Sequence, residues 1–136
     1  MKSNLYETDF VEWAFNQAFA LSRHDINGLD WDHLKEEIEN LGREQINAVN
    51  SLLKQVIIHR LKLDYLNDEI NRNHWESEIN SFVDQIEDRL TATLIKKIDL
   101  PKIYTRSRRD VLKQYPKLNI PKDCPYNLDS LLVIFD

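Results

Sequence analysis

Apolar residues return at helical spacing in four stretches, and those stretches set the expected architecture. Between Asp9 and Ser22, Phe10, Trp13, Ala14, Ala18 and Leu21 form one stripe, while Val11, Phe15 and Phe19 form a second. A helix apolar over so much of its circumference is expected to be buried on more than one side. Thr8 or Asp9 can accept the unpaired amides at its start. In the second stretch, Leu34, Ile38 and Leu41 begin a stripe that Ala48, Leu52, Val56 and Leu63 continue, flanked by Val49, Leu53 and Ile57. Its unbroken phase predicts one helix from Trp31 to about Tyr65, roughly 50 Å long. A compact domain of this size has a radius of gyration of about 14 Å. Either Gly42 therefore bends or breaks the rod, or the end of the rod packs on a second chain.

The third stretch has Trp75, Ile79, Phe82, Val83, Ile86, Leu90 and Leu94 on one face, with Asn73 and Glu76 spaced as a capping box. In the fourth, Asp99 caps and Pro101 sits in the first turn. Its inner face is Leu100, Ile103, Tyr104, Ser107 and Val111, and it ends before Pro116. The remaining residues are punctuated by proline and should lie across the helices as a strap, with a last helical turn at "LDSLL". The expected fold is all-α: a single domain over residues 1–136, built as a bundle of four main helices with this C-terminal strap. Two glycines and four prolines in 136 residues agree with helix rather than turn-rich β structure.

The segment "DWDHLKEEIENLGR" (residues 30–43) concentrates acidic residues, a histidine and a tryptophan at the start of the second helix. Asp30 fits as N-cap, and Leu29 can pack on Leu34 as a hydrophobic staple. Asp32, Glu36 and Glu37 lie near the positive end of the helix dipole, where each gains roughly 0.3–1 kcal/mol. Cap and dipole thus account for the acids without a metal or a proton-transfer site.

The net charge of −5 is uneven. Residues 1–50 hold four Lys or Arg against ten Asp or Glu, whereas residues 96–136 hold nine against five. The basic run at residues 96–117 includes Lys102, Arg106, Arg109 and Lys113, a candidate surface for an anionic partner. An acidic protein, a second copy included, suits it better than nucleic acid, because the chain as a whole is acidic and has no helix-turn-helix pattern. The single cysteine, Cys124, forms no internal disulfide and suits a reducing cytoplasm. No apolar run approaches the roughly 18 residues of a membrane-spanning helix. Two glycines cannot build a phosphate-binding glycine loop, and no catalytic set, cofactor motif or metal-ligand pattern is present. His74 and Glu78 stand four apart but lack further ligands. The expected locale is cytoplasmic.

"LYETDFVEW", "LDWDHLKEEIENLGR", "HRLKLDY", "HW" at 74 and 75 and "CPYNLDSLL" occur in an order and spacing that resembles the family catalogued as domain of unknown function 29, found largely in cyanobacteria. The resemblance covers nearly the whole chain. It implies an all-helical fold and supplies no catalytic residues. Tyr104, Ser107 and Arg108 fall where that family tends to show Ala-Tyr-x-x-Ala-Arg.

The leading functional expectation is a small helical protein-interaction or regulatory module, self-associating as a homodimer, with no cofactor. The alternative is an enzyme or small-ligand binder using a polar cluster of Glu37, His59, Trp75 and Arg108 between helices. A weak nucleic-acid binder through residues 96–117 is the third.

Overall fold

A computed structural model of the chain describes residues 5–136. Its elements are α1 (Leu5–Thr8), α2 (Phe10–Ser22), a 3-10 turn (Ile26–Gly28), α3 (Trp31–Tyr65), α4 (Arg72–Glu87), α5 (Ala92–Lys97), α6 (Leu100–Gln114) and α7 (Leu128–Leu131). Among the described residues there is no strand, and four helices are long. No helix among them is long and apolar enough to cross a membrane. The chain divides into two compact units, Met1–Arg43 and Glu44–Asp136.

In the first unit, the Asp9 side chain accepts the Glu12 amide and starts α2. The helix ends at His24, whose φ of 55° is left-handed. The His24 amide donates to the Leu21 carbonyl and the Asp25 amide to the Ala20 carbonyl. That pair of bonds is a Schellman closure, built here without glycine. α3 then begins with Asp30, whose Oδ1 accepts the His33 amide at 3.4 Å. Of α2, only Trp13, Gln17 and Ala20 are buried. The expectation of a dry stripe at Ile38 and Leu41 is not met, since both are exposed. Phe10, Val11, Phe15, Phe19 and Leu21 are exposed as well, against the expected burial of α2 on more than one side. The reason lies in α3, which turns His33 and Glu37 toward Tyr6 and leaves its apolar residues outward.

α3 is continuous through Gly42, where an added Cβ would meet nothing within 4 Å.

The second unit holds a conventional core. Val49, Leu53, Val56, Ile57 and Leu61 of α3 cluster with Trp75, Ile79, Val83 and Ile86 of α4 and with Ile103, Tyr104 and Val111 of α6. α4 starts earlier than the Asn73 cap expected, at Arg72. Glu76 pairs with Arg72 at 3.5 Å instead of closing a capping box. The third apolar stretch is also two helices rather than one. Thr91 accepts the Leu94 amide and caps the separate α5. Asp99 caps α6, with Pro101 in the first turn as expected. Asn127 and Ser130 form a reciprocal capping box around α7.

Tyr104 donates its hydroxyl to the Pro121 carbonyl. Arg108 reaches the Ile120 carbonyl through Nε and Nη2, both at 3.3 Å. Arg60 donates to the Ser130 carbonyl at 2.9 Å, and Asn80 exchanges two 2.8 Å bonds with the Phe135 backbone. The C-terminal segment is thus tied in turn to α6, α3 and α4. Side chains from those helices satisfy backbone groups that no secondary structure pairs.

Candidate functional site

The first unit is organised around Asp30. As helix cap it is fixed in place, and its Oδ2 lies 2.7 Å from His33 Nδ1 and accepts Trp13 Nε1–H at 3.1 Å. Its own amide donates to Gln17 Oε1 at 2.7 Å, while Gln17 Nε2 donates to the Gly28 carbonyl. Histidine occupies the third helical position, where glutamate normally completes a capping box. Here the imidazole reaches back to the cap's carboxylate.

Tyr6 stacks on the His33 ring at 3.9 Å with planes 12° apart, and meets Trp13 edge-on at 4.8 Å. Its hydroxyl donates to Glu37. That bond, with desolvation and the nearby carboxylates Glu36, Glu37 and Asp30 added, pushes the Tyr6 phenol up to about 12.

The electrostatics follow from the contacts. Partial burial works against the Asp30 charge, but the bonds from His33 and Trp13 outweigh it and hold the carboxyl below its ordinary value. The bond to Asp30 raises the His33 imidazole above its ordinary value, against a smaller opposing desolvation. With Nδ1 committed to Asp30, proton exchange falls to Nε2. An open cleft of about 650 Å³ borders this pair and is also lined by Trp13, Asn16 and Asn27. The arrangement can hold a polar group and exchange a proton with it. No group of three or more His, Cys, Asp or Glu side chains among the described residues is placed to hold a metal ion.

Of the four residues expected to cluster, Glu37 belongs to the Tyr6 contact just described. His59 is half-buried, with Nδ1 2.7 Å from the Gln55 carbonyl and its ring edge-on to Phe82. Burial lowers its pKa. Trp75 is in the core, with Lys62 Nζ 5.7 Å from its ring centre. Arg108 serves the Ile120 carbonyl. No hydrogen bond or ion pair among the described residues joins His59, Trp75 and Arg108 to one another.

On α6, Lys102, Arg106, Arg109 and Lys113 are exposed, and Arg109 is engaged by Asp110 at 3.2 Å. His74 and Glu78 face one another at 3.7 Å on the surface.

A model of the family described as Domain of unknown function DUF29 matches residues 5–134. The chain belongs to that family. No curated protein and no solved structure matches it. In this DUF29 chain, Tyr104 and Arg108 both hold the C-terminal segment. The Ser107 hydroxyl between them closes on the Ile103 carbonyl at 2.7 Å. Sequence reasoning missed Tyr6, Trp13 and His33 as partners of Asp30. The available signal was the histidine three residues after the capping aspartate.

Proposed function

We propose that the chain is a small cytoplasmic helical interaction module that self-associates through the apolar surface of residues 10–41. One observation carries this reading. Nine large apolar side chains of this region are exposed, among them Phe15 at 72%, Ile38 at 66% and Phe19 at 62%. With their aromatic members included, they present on the order of 1,000 Å², against the about 800 Å² per partner of a standard interface.

A second copy is the favoured partner because the helical phase of α2 and α3 puts no charge between Val11 and Phe15 or among Trp31, Ile38 and Leu41, with Arg23 reaching over the edge of the patch, 5.4 Å from the Phe19 ring. The charges lie beside these stripes. Residues 1–43 carry four Lys or Arg against nine Asp or Glu, so two copies also repel at their rims. Added salt should therefore tighten the association.

Light scattering across a concentration series tests this. The wild-type chain should be a dimer that strengthens with salt, and Phe15→Glu should be a monomer with an unchanged helical spectrum. A wild-type chain still monomeric at about 100 μM, ample for any interface tighter than micromolar, sinks the reading. An association that weakens with salt would point instead to a basic partner.

The open cleft beside Asp30 and His33 favours a second reading, a small-ligand binder that uses this pair. A screen of small polar compounds in which none moves the His33 or Trp13 ring signals would remove it.

A further inference from the structure

We infer that the second unit contains a binding site for a phosphorylated hydroxy compound, of the sugar-phosphate class, between α3 and the α5–α6 corner. A cleft of about 490 Å³ lies there, within the range that holds small ligands. One wall is α3, with Asn50, Ser51 and Lys54; the other carries Lys97, Lys102 and Arg106. These side chains differ in how they are engaged. Lys54 is held by Asp110 at 2.7 Å. The side chains of Lys97, Lys102 and Arg106 make no ion pair with any described residue, so three unpaired cations converge on one cleft against a single carboxylate. Asp99, the one carboxylate lining it, is turned to the Lys102 amide as the α6 cap.

The second observation is independent of charge. Asn50 lines the same cleft, and its Oδ1 is buried with no hydrogen-bond partner among the described residues. A buried acceptor left unpaired costs roughly 1–3 kcal/mol. The phosphate group of a monoester dianion offers only acceptors and cannot satisfy it. A ligand hydroxyl can, once the Asn50 side chain turns Oδ1 into the cleft, while its phosphate lies against Lys97, Lys102 and Arg106. Among the described residues Ile103 is the only apolar side chain lining the cleft, and none brings an aromatic ring there to stack a base. The site therefore suits a polyol rather than a nucleotide. This inference does not depend on self-association, because none of its residues belongs to residues 10–41.

The test is a titration of the full chain with glucose 6-phosphate, inorganic phosphate, glucose and a short RNA, followed by amide chemical shifts and calorimetry. The sugar phosphate should bind about tenfold more tightly than phosphate, glucose should not bind, and shifts should centre on residues 50–54 and 97–106. Lys102→Gln with Arg106→Gln should weaken both phosphates at least tenfold. Asn50→Ala should remove the preference for the sugar phosphate over phosphate. It should leave the melting temperature of the free chain unchanged or higher, since it deletes an unpaired acceptor. That last readout separates a ligand role from a structural one. Equal affinity for phosphate and sugar phosphate, an Asn50→Ala chain with its preference intact, or no binding at all overturns the proposal. Tighter binding of RNA, with shifts spreading to Arg109 and Lys113, overturns it in favour of a nucleic-acid surface.

Discussion

Along α3, Val49 follows Trp31 by eighteen residues and Val56 follows Ile38 by the same interval, which is about five helical turns. Each pair therefore shares a helical direction. Yet Val49 and Val56 are 0% exposed, while Trp31 and Ile38 are 60% and 66% exposed. One periodic stripe thus has two fates. In residues 44–136, α4 and α6 lie on it. In residues 1–43 the neighbouring helices pack on the adjoining polar side, where Tyr6, Trp13, Asp30, His33 and Glu37 meet. Periodicity reports which face is apolar; it does not report whether this chain or another covers it.

Core truncation should break the comparison most sharply. Leu53→Ala removes a fully buried side chain and should cost about 2–5 kcal/mol by chemical denaturation. Ile38→Ala should cost under about 0.5 kcal/mol in the monomer, and more only at concentrations where the chain associates. Equal costs in dilute solution would show that the two ends of the stripe do not differ. Next in size is Asp30→Ala, which strips the α3 cap and the acceptor for Trp13 and His33. A loss of about 1–2 kcal/mol is expected, with the Trp13 fluorescence changing while the aliphatic core signals of residues 44–136 stay put. Gly42→Ala should go the other way. The site is open and helical, so a gain of about 0.5–1 kcal/mol in thermal unfolding is expected.

Two of the four histidines, one in each unit, sharpen the contrast as a titration. The His33 pKa is raised by Asp30, and the His59 pKa is lowered by burial. A raised histidine contributes stability that is complete below its unfolded value of about 6.5 and is lost as pH rises through the folded value. A lowered one contributes stability that is complete above about 6.5 and is lost as pH falls through the folded value. Asp30, depressed by the same contact, loses its contribution as pH falls through its own folded value. Imidazole signals followed by NMR should therefore place His33 above and His59 below the free-peptide midpoint, and Asp30→Asn should lower His33 alone. Coincident midpoints would remove the Asp30–His33 interaction from the account.

Much of the second unit was legible because its helices bury their stripes within one chain. Leu53, Val56, Ile79, Val83 and Val111 were readable from spacing, and Asp99 from its place before Pro101. Thr91 was not. A cap that divides one apolar run into two helices leaves the spacing nearly undisturbed, so Leu94 looked like a continuation of Ile86 and Leu90. The first unit misled for a different reason. Its core joins Trp13, which the spacing did place on an apolar stripe, to a carboxylate, an imidazole and an amide, residues that a hydrophobic pattern assigns to the surface. The expected cluster of Glu37, His59, Trp75 and Arg108 rested on residue types and helical phase, and contacts such as Arg108 with the Ile120 carbonyl join residues that no periodicity relates.

Cys124 lies part-buried in the C-terminal segment, its thiol raised by burial and donating to the Tyr126 carbonyl at 3.4 Å. A protonated, shielded sulfur alkylates slowly. The rate at which a maleimide captures it thus becomes a chemical stopwatch for how often the segment lifts from the helices beneath. With a single cysteine in the chain, that stopwatch reads one event without having to be engineered in.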